Sequence, residues 1–349
     1  MRSRLYIRQK PPDPWIAMNL SALFPGLGQF YAGKQGWGVG FAVGEIALIG
    51  SAVWSIFAPG GNTLTGLLLL LVALSFYLLV LWQTYASALA VNPRPSKQTQ
   101  RNAWYGVFLS QILPGLGHFY FQQAVMGGAL LVVGVGLALM ANRYPVLVPL
   151  PPLIWALACY HLYRTEVSSN QQRQWAIAVV MVGLIAIRLT LAAVPGWIQQ
   201  SVEQSIIPSE SMLPTLQVGD RLFVSKNPLY RPQLGDIVVF RPPAAVLAET
   251  PAARQGLLIK RVIGLPGQVV QVDNGQVAVN QQVLNEPYLL MPPAYRWGPE
   301  TVPADAYFVL GDNRNFSRDS HVWGFLLDTD IVGKAYKIYW PPGRVQALG

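Results

Sequence analysis

At 349 residues the chain is longer than one ordinary domain and long enough for two. Hydrophobic residues make up 52% and charged residues 12%, against about 25% charged in a typical soluble chain, which argues against a wholly soluble protein. The net charge of +9 belongs to the first part alone: residues 1–194 hold 12 Lys/Arg against Asp13, Glu45 and Glu166, whereas residues 195–349 hold 13 basic and 13 acidic residues. A basic excess confined to apolar sequence reads as a membrane-orientation signal rather than a nucleic-acid footprint, so no nucleic-acid partner is expected.

The N-terminus is basic (Arg2, Arg4, Arg8, Lys10), but the first apolar stretch, around Trp15–Tyr31, is interrupted by Pro25, Gly26 and Gly28, and no cleavable leader is expected. Apolar runs long enough to span a bilayer follow at about 37–58, 64–90, 124–142, 145–163 and 175–194. Four prolines, Pro145, Pro149, Pro151 and Pro152, are expected to kink the fourth. The fifth carries a single charge, Arg188, which must snorkel or face protein.

This half repeats itself. Leu23-Phe24-Pro25-Gly26-Leu27-Gly28-Gln29-Phe30-Tyr31 returns 89 residues later as Ile112-Leu113-Pro114-Gly115-Leu116-Gly117-His118-Phe119-Tyr120, each copy preceding two apolar runs. The spacing predicts two units, about 15–90 and 104–163, within a membrane region 1–174. Each unit would be a Pro/Gly-broken segment at the membrane surface followed by a helical hairpin, since lipid cannot satisfy a broken backbone. The loop near 92–103 (Arg94, Lys97, Arg101) and that at 164–174 (Arg164, Arg173) join the N-terminus on the cytoplasmic side. The last span, 175–198, would then deliver residues 199–349 to the outer side.

Beyond Pro195-Gly196 the pattern changes to short β-branched runs: Arg221–Val224, Asp236–Phe240, Leu258–Ile263, Val269–Val272, Gln276–Val279, Tyr307–Leu310 and Ile331–Tyr339. Turn signals bound them, and Asp273-Asn274-Gly275 is a strong hairpin cue. The half predicts a compact, mostly antiparallel β domain, with Pro242–Gly256 as a long surface loop. The lone cysteine, Cys159, excludes an intrachain disulfide. The three histidines, His118, His161 and His321, have no ligand spacing, so no metal or cofactor is expected.

Three segments of the β half carry nucleophiles and bases. Pro208-Ser209-Glu210-Ser211-Met212-Leu213-Pro214-Thr215 places two serines about a dozen residues beyond the last span. Taken alone it is a serine-rich loop. In Ile259-Lys260-Arg261-Val262-Ile263-Gly264-Leu265-Pro266-Gly267 a lysine interrupts an apolar strand, and the bland reading is an edge-strand lysine pointing to water. Gly311-Asp312-Asn313-Arg314 through Ser317, Asp319-Ser320, His321 and Trp323-Gly324 packs polar residues behind a strand. Two arginines and the missing terminal glutamate argue against a calcium loop.

These segments, with Gly235-Asp236-Ile237-Val238-Val239-Phe240, closely resemble the boxes of the type I signal peptidase family, in family order across Pro208–Gly324. Residues 1–174 lie outside the resemblance. It implies Ser211 as nucleophile and Lys260 as general base, with Ser209 joining the Ser211 N–H in an oxyanion hole. It further implies that Ser317 orients the amine, Arg261 pairs with Asp312, and Asp319 braces the site. The chemistry agrees: a lysine base must be neutral, so its pKa must fall by about two to four pH units through burial. Ile259, Val262, Met212 and Leu213 would supply the apolar surroundings. The sequence departs from many members at Glu210, where glycine is usual and the side chain must point outward, and at His321, where arginine is usual.

The expected activity is membrane-bound endopeptidase cleavage of exported preproteins after a small-x-small motif. The substrate would add as an extended strand, and apolar residues near the site (Ile206, Ile207, Met212, Leu213) would dip into the bilayer surface. Partners are signal peptides, lipid and the protein-translocation machinery. Two alternatives stand beside this: a Ser/Lys protease like the self-cleaving repressors, and a non-catalytic membrane assembly factor.

Overall fold

The computed structural model describes residues 11–91, 101–167, 173–249 and 256–348. The basic residues Arg2, Arg4, Arg8, Lys10, Arg94 and Lys97 lie outside them, as does part of the 164–174 loop. The chain divides into two compact units, Met1–Ser51 with Leu69–Pro195, and Ala52–Leu68 with Gly196–Gly349.

The first unit is helical. Asp13 opens α1 (Pro14–Leu23), its carboxylate accepting from the Trp15 and Ile16 amides with Pro14 at the first turn. After Phe24-Pro25-Gly26 the chain resumes as α2 (Leu27–Tyr31), then α3 (Gln35–Phe57) and α4 (Thr63–Val91). The same order returns as α5 (Ala103–Ile112), α6 (Leu116–Tyr120), α7 (Ala124–Ala141) and α8 (Leu150–Glu166).

The local devices return too. Asn102 caps α5 through the Tyr105 amide. Gly26 and Gly115 take left-handed φ of 97° and 94°, and a Cβ on either would meet a backbone carbonyl at 2.2 Å, of Gly38 and Gly127 respectively. The Gly28 and Gly117 amides donate to the hydroxyls of Ser21 (3.0 Å) and Ser110 (3.2 Å). The phenols of Tyr31 and Tyr120 accept from the amides of Asp13 and Asn102. The segments differ where Gln29 donates to Thr84 Oγ1 (2.6 Å) and Gln83 Oε1 (2.9 Å): the corresponding His118 stacks on His161 with ring nitrogens 3.0 Å apart. That pairing of two histidines 43 residues apart was not foreseen.

Among the described residues, five helical stretches are long and apolar enough to cross a membrane: Gln35–Phe57, Thr63–Val91, Ala124–Ala141, Pro145–Glu166 and Gln174–Ser201. The fourth is interrupted at its prolines. Pro145–Leu147 forms a separate 3-10 turn, and Pro151 and Pro152 sit in the first turn of α8, where no amide donor is required. The last helix, α9 (Gln174–Ser201), runs through Pro195 past the expected end. Arg188 faces protein, donating to the Gln111 carbonyl (2.9 Å) and stacking on Trp155 at 4.2 Å.

The second unit is built on antiparallel sheets. Its strands are β1 (Val202–Ile206), β2 (Arg221–Ser225), β3 (Ile237–Phe240), β4 (Leu258–Gly264), β5 (Val269–Asp273) and β6 (Gln276–Val279), then β7 (Gln282–Val283), β8 (Trp297–Thr301), β9 (Ala306–Leu310), β10 (Leu326–Leu327), β11 (Ile331–Trp340) and β12 (Gln346–Ala347). The large sheet runs β1-β2-β11-β3-β4-β9-β10 with β12 on β11, and the small sheet runs β7-β6-β5-β8. Asn274 (φ 47°) and Gly275 (φ 77°) make the two-residue turn between β5 and β6. The loop expected over Pro242–Gly256 contains a short helix, α10 (Ala244–Glu249), whose alanines favour it, while residues 250–255 are not among those described. A last turn of helix, α11 (Ser320–Trp323), follows β9.

Candidate active site

Strand β4 lies between β3 and β9, with Lys260 in register with Val238 and Arg261 with both Ile237 and Leu310. The edge-strand reading of Lys260 therefore fails: a central strand has no solvent edge, and the side chain is 4% exposed. The serine loop runs from β1 to β2. It is pinned by the Ile207 amide donating to the Asp220 carbonyl and the Gly219 amide to the Ile207 carbonyl, and by Met212 and Leu216 packing with Ile259, Leu222 and Ile338.

These two segments meet at Ser211 and Lys260. Lys260 Nζ lies 2.8 Å from Ser211 Oγ and donates to the Ile259 carbonyl at 3.0 Å. Ser209 Oγ lies 3.3 Å from Ser211 Oγ. Glu210 between them is exposed, as its charge requires. Burial pushes the Lys260 amine down to about 8, against the opposing pull of Asp319 and Asp312.

The third segment closes the site behind β9. The Asn313 amide donates to the Ser211 carbonyl (3.1 Å) and its side chain to the Glu210 carbonyl (3.1 Å). Gly311 is needed where these chains touch, because a Cβ there would meet Ser317 Oγ at 2.2 Å and the Ser211 carbonyl at 2.4 Å. Arg261 grips Asp312 through Nε (2.8 Å) and Nη2 (2.6 Å), both groups buried. Burial works against the guanidinium charge, but the bonds to Asp312 more than offset it and hold its pKa above the usual value.

Asp319 is fully buried, accepting from the Gly311 amide (2.9 Å) and lying 2.6 Å from His321 Nδ1. His321 thus stands in the bracing place, stacked on Tyr295 with ring centroids 4.0 Å apart. The Ser317 hydroxyl has no hydrogen-bond partner among the described residues, and the Lys260 amine donates to the Ile259 carbonyl. Val262 is fully buried but packs with Val238 and Val309, in a different cluster from Met212 and Ile259.

Sequence reasoning missed a second buried pair. Arg314, 1% exposed, holds Glu286 by two bonds of 2.9 and 2.5 Å, and Tyr288 donates to Glu286 (2.8 Å) while its ring lies 4.0 Å from the Arg261 guanidinium. The Glu286 and Arg314 side chains are 28 positions apart with no periodicity to link them, so no sequence signal announces the contact. No cluster of potential metal ligands occurs among the described residues.

A β domain that presses a buried, unpaired amine against a serine hydroxyl has the construction of a serine endopeptidase, and the relatives share that class. The family described as signal peptidase, peptidase S26 matches residues 172–340. Signal peptidase I of Leptolyngbya laminosa is 48% identical over 175 residues, covering 49% of this chain and 84% of that protein. A probable signal peptidase I-1 of Synechocystis sp. is 44% identical over 177 residues, covering 50% and 89%. The chloroplastic thylakoidal processing peptidase 1 of Arabidopsis thaliana is 42% identical over 148 residues, covering 41% and 43%. The chain belongs to the signal peptidase I family and is a serine endopeptidase.

Proposed function

We propose that this chain removes signal peptides from exported preproteins, with Ser211 as nucleophile and Lys260 as general base. The 2.8 Å approach of a buried Lys260 Nζ to Ser211 Oγ carries the reading. With a pKa of about 8, about one amine in ten is neutral at pH 7, against about one in 2,500 for free lysine. The neutral amine takes the Ser211 proton as Oγ attacks the scissile carbonyl. The oxyanion is held by the Ser211 N–H and the Ser209 hydroxyl. The resulting ammonium returns its proton to the departing amine, leaving an acyl-enzyme that water releases by the same proton route.

A cavity of about 40 Å³ opens between Ile207–Met212 and Leu257–Lys260 beside the nucleophile. Its size suits a methyl side chain and supports cleavage after a small-x-small motif. Arg261–Asp312 and Asp319 serve as supports that hold β4 and the Gly311 turn against the serine loop.

The five long apolar helices support a multi-pass protein with its N-terminus cytoplasmic and its catalytic domain on the outer side. We read α1–α4 and α5–α8 as two copies of one membrane module, because caps, left-handed glycines and serine–amide bonds recur at the 89-residue offset. Lipid and the translocation machinery are its proposed partners. The test is cleavage of a preprotein bearing an Ala-x-Ala site by the full chain in detergent. Wild type should cut at that site, and Ser211→Ala and Lys260→Met should not. Cleavage surviving either substitution overturns the assignment.

A further inference from the structure

Strand β2 buries three consecutive residues, Leu222, Phe223 and Val224. Side chains alternate along a strand, so three in a row mean that both faces are covered. Leu222 and Val224 face the cluster that holds Ile207, Met212 and Leu216 of the serine loop. Phe223 points the other way, and Phe57 stacks on it with centroids 5.3 Å apart. Tyr339 lies on Phe223 at 4.2 Å and Tyr336 at 6.2 Å.

Beside these rings, in register with Phe223 on β11, stands Lys337, with no exposed surface. Its ammonium donates to the carbonyls of Ser55 (3.0 Å), Ile56 (2.7 Å) and Ala58 (3.1 Å). An ammonium has three donors, and all three are taken by carbonyls at the end of α3. Those of Ser55 and Ile56 are among the carbonyls that a helix leaves without an internal partner, at its negative end, and Ala58 follows the last helical residue. Residues 52–68 accordingly form one compact unit with 196–349.

We propose that the turn between α3 and α4 is a working part of the protease domain, recognised by the β2–β11 face through Lys337 and Phe223, and that it backs the strands on which the serine loop rests. The face is a receptor for one helix C-terminus, that of this chain's own α3. Packing here does not depend on which residues carry the chemistry, so the inference stands apart from the Ser211–Lys260 assignment except in its consequence for activity.

The test is hydrogen exchange on the full chain in detergent, comparing wild type with Lys337→Met, which keeps the apolar stem and removes the three donors. Amide exchange in residues 52–62 should accelerate about tenfold or more, with residues 124–166 unchanged. Phe57→Ala should act in the same direction, and it decides the matter if Lys337→Met does not accumulate as folded protein. Unchanged protection of 52–62 in the variants that fold overturns the proposal. Cleavage of the preprotein bearing an Ala-x-Ala site, followed in the same samples, reports separately on the catalytic reading: its absence from wild type would sink that reading and leave the docking result intact.

Discussion

In the helical unit the buried polar side chains are mostly neutral and serve a broken backbone. Ser21 and Ser110 take the Gly28 and Gly117 amides, while Asn19 donates to the Trp15 and Trp104 carbonyls. In the β unit they are mostly ions, and each buried guanidinium at the site has its carboxylate: Arg261 has Asp312 and Arg314 has Glu286. Beside these two arginines Lys260 has no carboxylate, since among the described residues its hydrogen-bond partners are a hydroxyl and a carbonyl. A bonded carboxylate holds the charge on a buried cation, and burial without one lowers an amine's pKa. The contrast shows how adjacent residues of one strand can present an ion-paired arginine on one face and an amine of lowered pKa on the other.

The sharpest break is at the reacting pair. Ser211→Ala or Lys260→Met should lower kcat/KM for the preprotein by at least about 10³-fold, measured by cleavage rate, with the folded state retained. Next, Asp312→Asn leaves Arg261 buried without its anion and should cost about 3–5 kcal/mol of stability, read from the denaturation midpoint. Mutation in the helical unit asks whether its two segments carry equal strain. A Cβ would meet the Ala17 carbonyl at 2.1 Å from Gly28 and the Gly106 carbonyl at 2.1 Å from Gly117. Gly28→Ala and Gly117→Ala should therefore each cost about 1–3 kcal/mol in thermal unfolding, and a large inequality would end the equivalence.

The smallest effect is in pH. With Lys260 at about 8, kcat/KM should rise about tenfold per pH unit below that point and level off above it. The Asp319 carboxylate favours the ammonium form, so Asp319→Asn should move the inflection to lower pH even where kcat falls. The stability effect has the same sense. The unfolded lysine keeps its proton to about 10.4, so above about 8 the unfolded chain binds more protons and stability rises with pH. A profile flat from pH 6 to 10 would exclude a lysine base.

Much of this was legible in order along the chain. The five apolar runs, the 89-residue repeat, seven strand segments and the Asn274-Gly275 turn follow from local periodicity and turn chemistry, which act over a few residues. Strands β1, β7, β8, β10 and β12 were missed: β7, β10 and β12 are two residues long, and β8, Trp297-Gly298-Pro299-Glu300-Thr301, carries the glycine and proline that usually argue against a strand. Ser211, Lys260, Arg261, Asp312 and Asp319 were singled out because they sit in compact boxes. Glu286, Tyr288 and Lys337 were not, because each acts on a partner that no local pattern names.

The sequence by itself determined the change from long apolar runs to short β-branched ones and the alternation that makes the β domain, since these depend on composition and short-range periodicity. Only the tertiary structure decided that β4 is a central strand, that the Lys260 amine donates to the Ile259 carbonyl, and that Lys337 closes the end of α3. Burial and long-range hydrogen bonding belong to pairs of segments, and a proton's affinity is set by what surrounds it rather than by what precedes it in the chain.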